Sequence, residues 1–210
     1  MPDSTPLEVR AAPVQQRGQE RVDKLLDATA RIIEESGIAG LTTSAVAEQS
    51  GSSVGVVYRY FPNIDSLVFA LAERNLERYM GRLRADLESG RAPDWRSFVR
   101  LAIDIYAEFA RTEPGFSRIR FGDIVAMRFT TRQQTNNREL ADALSGFMTE
   151  LYGFPAGPDL DFATEVAMEV ADGLTRRAFQ FEDEGDYRFV RAAMEQIIAI
   201  LEPHAPKAES

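Results

Sequence analysis

From Arg17 to Leu201 the apolar residues of this chain return every three or four positions, with no stretch of strict alternation. Val22, Leu25, Leu26, Thr29, Ile33 and Ser36 set the first stripe, and Gly37 closes it. Residues three and four apart share one face of an α-helix, whereas alternate residues share one face of a strand, so this period selects helices. The stripe resumes in Ile64, Leu67, Val68, Leu71, Tyr79, Met80, Leu83 and Leu87, and Gly90 and Pro93 end it. It returns over 94–111 through Trp95, Phe98, Val99, Ala102, Ile105, Tyr106 and Phe109. Further helical stretches are expected near 132–152, 159–182 and 187–202, parted by FPAGPD and EDEGD. The expected fold class is all-α, with about nine helices.

Composition narrows the class. A chain of 210 residues has room for one domain or two modest ones. It has no cysteine, which excludes disulfides and thiolate chemistry. No apolar run approaches the roughly 20 residues of a membrane span. Residues 1–16 read MPDSTPLEVRAAPVQQ, with three prolines and early acids. They are expected to form a disordered arm, not a signal peptide, and the protein is expected to be cytoplasmic. The net charge of −9 speaks against a broad basic surface that coats nucleic acid. Residues 1–62, however, carry six basic and eight acidic side chains, so most of the acidity lies later and a local DNA contact near the start stays open.

Residues 42–61 carry the chemistry. They read TTSAVAEQSGSSVGVVYRYF: a capped short helix, a glycine break, then a second short helix that is bare in front and ring-rich behind. Thr42 or Thr43 serves as N-cap of the first helix. Ala47 and Gly51 stand four apart, the small residue allowing two helices to cross closely and the glycine making a tight turn. This is helix-turn-helix spacing. Val46 and Val57 are expected to face the interior, with Tyr60 closing that side. Ser52, Ser53, Val54, Gly55 and Val56 then form the leading edge of the second helix, where small side chains let it enter a major groove and touch base edges. Tyr58, Arg59 and Tyr60 lie further back, within reach of phosphates. Thr43 and Ser44 present hydroxyls at a helix N-terminus, a ready phosphate site. Thr42 reads more plainly as a cap than as a contact, and Phe61 as a core aromatic.

The stretch RVDKLLDATARIIEESGIAGLTTSAVAEQSGSSVGVVYRYFPNIDSLVFALAER resembles the N-terminal domain of the TetR (tetracycline-repressor) family over residues 17–75. The shared elements are an LLDA-type first helix, GLTT before the second, A-x-x-x-G at the turn, and G-x-x-Y-x-Y-F-P-N-x-D-x-L entering the fourth. The resemblance implies an all-α homodimer with a three-helix DNA-binding head over 17–62 and a larger body over 63–205, joined by a long fourth helix. It implies double-stranded operator DNA and a small-molecule effector as partners, with effector binding shifting the heads off the operator. Arg17 on the first helix and Asn63 at the entry to the fourth join the DNA-contacting set. Three positions depart from the family. Ser52 stands where an apolar residue is frequent, and Val54 and Ile64 stand where lysines are common. Losing the lysines removes electrostatic affinity but not groove reading; Arg10, Arg17, Arg21 and Arg59 are the available compensation.

The body is rich in large apolar side chains. Phe98, Ile105, Phe109, Phe116, Phe121, Met127, Phe147, Met148 and Phe162 are the candidates for lining a pocket for an apolar or aromatic ligand. The plainer reading of each is core. Arg118, Arg120, Arg128 and Arg132 crowd the least regular segment and suit either an acidic ligand or a solvated face. Asp161, Glu165, Glu169 and Asp172 share one helical face, which is ordinarily a wet one, the alternative being a cation-binding wall. Ala167, Val170, Ala171, Leu174, Val190, Ala193, Met194, Ile197 and Leu201 give the last two helices apolar stripes, through which the resemblance implies dimer pairing.

An enzyme is not expected. The one histidine, His204, lies in a tail beside two prolines, so neither a serine–histidine triad nor a histidine metal site is available. There is no glycine-rich phosphate loop, and no cofactor or metal is expected. The rival reading is a helical ligand-binding or scaffolding protein without DNA binding, supported by the acidic charge and the two missing lysines.

Overall fold

A computed structural model describes residues 13–119, 136–182 and 184–206. Among them lie eight α-helices and two single-turn 3-10 helices, with no strand. The helices are α1 (Pro13–Ser36), α2 (Thr43–Gln49), α3 (Val54–Tyr60), α4 (Ile64–Glu88), α5 (Trp95–Thr112), α6 (Asn136–Tyr152), α7 (Pro158–Phe179) and α8 (Tyr187–Leu201). Helix α1 begins at Pro13, four residues before the expected start at Arg17. Proline suits the first helical position, because its fixed φ fits the helix and the N–H it lacks would be unpaired there anyway. The remainder of the expected arm lies outside the described residues.

The chain forms two compact units, and the boundary falls within α4, after Leu67. In the first unit Leu25, Ile33, Val46, Val57 and Leu67 are completely buried, and Phe61 nearly so. A buried hydroxyl among them, that of Thr29, is satisfied by donating to the Leu25 carbonyl at 2.8 Å.

The second unit is held by aromatic packing and helix caps. Trp95 meets Phe154 edge-on at 5.5 Å, and Phe109 meets Phe116 at 5.4 Å. Such pairs add about 0.5–1.5 kcal/mol beyond the area they bury. The carboxylate of Asp94 caps α5, accepting from the backbone N–H groups of Arg96 and Ser97 and from the Ser97 hydroxyl. The Ser97 backbone bond, then its hydroxyl bond, hold the Asp94 carboxyl below the usual carboxylate range. Between α4 and α5, Arg78 grips Glu113 with two bonds of 2.7 and 2.8 Å, Arg82 reaches Glu108 at 3.1 Å, and Tyr79 donates to the Ala102 carbonyl at 3.1 Å.

The apolar stripes of the last two helices are consumed inside the chain. Ala167, Ala171, Val190, Ala193, Ile197 and Leu201 are buried where α7 packs on α8, and the small alanines allow that approach. They are therefore not a free pairing face. What α7 turns outward at helical spacing is Phe162, Val166, Val170 and Gly173, exposed or half-buried.

Candidate nucleic-acid interface and ligand cavity

Two short helices make the candidate interface. Each is only seven residues long, below the length at which a helix holds itself in water. Their ends are fixed by local bonds instead. Thr42 accepts from the Ala45 N–H at 3.1 Å and so caps α2; Ser53 accepts from the Val56 N–H at 3.3 Å and caps α3. Between them Ser52 N–H donates to the Ala47 carbonyl at 2.8 Å and Gly51 N–H to the Glu48 carbonyl at 3.1 Å. That pair of bonds is a Schellman motif, and it requires the left-handed backbone that Gly51 supplies at φ 62°.

The motif accounts for Ser52. The second residue beyond such a helix end commonly makes an apolar contact with the last turn. Here a serine takes the position, and its Oγ is buried without a hydrogen-bond partner.

Ser53, Val54 and Gly55 are exposed at the front of α3, and Val56 is half-buried behind them. A Cβ added at Gly55 would meet nothing nearer than Ser53 Oγ at 3.9 Å, so the fold itself does not require glycine there. Val57 faces inward with no exposure. Tyr58 is 54% exposed, and the Thr43 hydroxyl approaches its phenol oxygen at 3.4 Å, which ties the start of α2 to the rear of α3. Tyr60 does not close the interior: it is 36% exposed, and Phe61, not Tyr60, is the buried ring. Arg17, Ser44 and Arg59 are exposed, and Thr43 is half-buried. Asn63 is exposed but engaged: its Oδ1 accepts from the Ser66 N–H at 2.8 Å while its own N–H reaches Ser66 Oγ, a reciprocal cap on α4. Arg59 is the one charged side chain from Ser50 to Asn63.

The second unit holds a partly open cavity of about 140 Å³. Leu76, Tyr79, Met80 and Leu83 of α4 form one wall, and α5, α6, α7 and Ile197 of α8 form the others. Phe98 and Phe147 line it, with ring centroids 6.3 Å apart. Phe109 and Phe116 are buried outside the lining and brace it, Phe109 against Tyr79 at 6.2 Å and Phe116 against Tyr106 at 5.3 Å. Ile105 and Met148 are core side chains that do not reach the cavity. Phe162 instead stands 69% exposed, because α7 turns Leu160, Ala163, Thr164 and Ala167 inward. Phe121 and Met127 lie outside the described residues, as do Arg120, Arg128 and Arg132; Arg118 is exposed.

The acidic face of α7 divides in two. Asp161 accepts from Ser145 Oγ at 2.7 Å, whereas Asp172 lines the cavity beside Thr175 and Tyr106. Among the described residues no cluster of metal-ligating side chains forms. Burial, with the Asp172 charge adding to it, pushes the Tyr106 phenol up to about 12; burial raises Tyr79 as well. The polar lining residues that the sequence left unassigned to the cavity are thus Tyr106, Asp172 and Thr175. Their signal was a polar tip within an apolar stripe, since a buried tyrosine hydroxyl needs a partner.

Comparison with known proteins follows the same division. Residues 25–71 match the family described as bacterial regulatory proteins, tetR family, and residues 93–205 match the tetracyclin repressor-like C-terminal domain. A TetR-family transcriptional regulator from Streptomyces coelicolor is 33% identical with a TM-score of 0.74, over 88% of this chain and 99% of that one. A TetR-family regulator from Pectobacterium atrosepticum shares the fold at a TM-score of 0.66 and 19% identity, over 95% of this chain and 100% of that one. The nucleoid occlusion factor SlmA of Vibrio vulnificus is 31% identical over 103 residues, which is 49% of this chain and 52% of that protein. The chain spans about half the length of the curated relatives it matches. No described helix is long and apolar enough to cross a membrane. With the helix-turn-helix unit and the C-terminal domain both matched, the latter over more than half of the chain, this protein belongs to the TetR family of bacterial regulatory proteins, which are transcription regulators and not enzymes.

Proposed function

We propose that this chain is a ligand-responsive repressor that binds a palindromic operator as a homodimer and leaves it when a small apolar or aromatic effector enters the α4–α7 cavity. The observation that carries the DNA-binding reading is Gly55. A glycine inside a helix costs up to about 1 kcal/mol against alanine, and no neighbour within the chain demands it. Its use lies outside the chain, in a helix that must approach a groove floor closely. Tyr58, Arg59 and Tyr60 behind it supply phosphate contacts, with Thr43, Ser44, Arg17 and Asn63 around them. Phe162, Val166, Val170 and Gly173 on α7 are the surface through which a second copy pairs.

Control runs through α4, which carries Tyr79, Met80 and Leu83 of the cavity wall and is separated from α3 by only three residues. A ligand wedged against that wall tilts the helix, and the two heads no longer fit both half-sites. The effect is limited to the ligand's differential affinity for the two head spacings, of order 1–3 kcal/mol.

A gel-shift assay on fragments around the protein's own gene tests the DNA reading. The wild-type chain is expected to retard one fragment specifically, and Gly55→Gln to lose that retardation while its thermal stability is kept or raised. If Gly55→Gln bound as well as wild type, α3 would not be the reading helix. The net charge of −9, with Val54 and Ile64 in place of lysines, favours one other reading: a helical ligand-binding protein that does not bind DNA. Absence of retardation for every fragment would select it.

A further inference from the structure

We propose that the cavity selects a single-ring molecule carrying a protonated amine, with Asp172 as its counter-charge. This inference rests on the ligand-responsive reading above and names the chemical class of the ligand. Size sets the first limit. An apolar void of about 150 Å³ takes one benzene, and this cavity measures about 140 Å³. It takes one ring, and because it is partly open a short substituent can extend beyond that volume.

Hydrogen-bond direction sets the second limit. The Tyr79 hydroxyl donates to the Ala102 carbonyl at 3.1 Å, and the Thr175 hydroxyl donates to the Ala171 carbonyl at 2.6 Å. Both of these wall hydroxyls therefore give their protons to the protein and offer only lone pairs to a ligand. Asp172 is the one charged residue of the described wall, and it too only accepts. The wall contains no lysine, arginine or histidine among its described residues. A ligand with an anionic head meets a carboxylate and oxygen lone pairs, and is repelled. A ligand with donors to spare is matched.

The rings favour a cation over a neutral donor. Tyr79, Phe98, Tyr106 and Phe147 surround the space, and an ammonium within about 6 Å of such ring faces is attracted by their negative quadrupole. Burial keeps both tyrosines in the neutral phenol form, so the countering negative charge belongs to Asp172. Asp172 makes an interaction of its own within the chain. An ammonium joins it as a further donor, since a carboxylate has about four lone-pair sites.

The test compares 2-phenylethylamine, 2-phenylethanol and phenylacetate by calorimetric titration of the full chain at neutral pH. The amine is expected to bind at least tenfold tighter than the alcohol, and phenylacetate more weakly than either. Asp172→Asn should cut the amine's advantage to under threefold while the alcohol's affinity, which reports an intact cavity, stays within twofold. Ala102→Phe fills the cavity and should abolish binding of all three. If phenylacetate bound best, or the amine's advantage survived in Asp172→Asn, the ligand class is wrong and the cavity reading stands. If no probe bound wild type, or all bound Ala102→Phe unchanged, both fall together. Should Asp172→Asn fail to fold, the ranking on the wild-type chain decides alone.

Discussion

The α2–α3 pair and the α5–α8 body solve the same problem in opposite ways. Helices α2 and α3 have seven residues each and bury only Val46, Ala47 and Val57 between them. They are defined by bonds at their ends: two hydroxyl caps and a Schellman turn. The body helices run from 15 to 22 residues and are fixed by broad apolar faces. In the head, burial is kept small so that one helix can present a nearly bare edge. In the body, burial is large, and the functional feature is the space that the packing fails to fill. A reading surface is thus a local property, and a ligand cavity is a property of many helices together.

The strongest way to break this comparison is to remove a body aromatic. Phe154 is almost wholly buried against Trp95, so Phe154→Ala should lower the unfolding free energy by about 3–5 kcal/mol in denaturant titration. A loss below 1 kcal/mol would mean that broad apolar packing is not what holds the body. Next comes the turn. Gly51→Ala places a Cβ in left-handed backbone, at a cost of about 1–2 kcal/mol. Hydrogen exchange should quicken across 43–60 and stay unchanged across α8; uniform acceleration would show that the head is not stabilised locally. Third, Tyr60→Phe should weaken every DNA sequence alike, by about 1 kcal/mol, whereas Val56→Gln should alter sequence preference. A change of preference in Tyr60→Phe would reverse these roles. The smallest effect is a gain. Ser52→Ala removes a buried hydroxyl without a partner and restores the apolar contact of the turn. It should stabilise the chain by about 0.5–1 kcal/mol, and a loss of stability would show that the hydroxyl is satisfied.

The same contrast explains what the sequence disclosed. Helix α5, expected over 94–111, spans Trp95–Thr112, because an apolar stripe and an aspartate cap mark both its face and its start. Thr42 as cap, Val46 and Val57 as interior and Phe61 as core were legible for the same reason: each is decided within one or two turns of chain. The start of α1 at Pro13 was not, since Val14, Gln15 and Gln16 add nothing to an apolar stripe. Tyr60 misled because a tyrosine suits a core edge and an exposed rim equally well. In the body, the aromatic inventory did not separate Phe98 and Phe147, which line the cavity, from Phe109 and Phe116, which stand one layer behind. Those four share the same composition and similar spacing, and only the tertiary packing sorts them. The alanines of α7 and α8 read as a pairing surface, yet they are used within the subunit, because close packing inside a chain and between chains calls for the same small side chains.

The central claim is that the locally built head and the body cavity act as one regulator. Its most direct test is calorimetric titration of the tightest of the three ring probes into the full chain, alone and with saturating amounts of the DNA fragment retarded in gel shifts. Coupling between two sites is reciprocal, so DNA must weaken the probe by the factor with which the probe weakens DNA. The account predicts a loss of about 5- to 150-fold in probe affinity when DNA is bound. Equal affinities in the two titrations would contradict it.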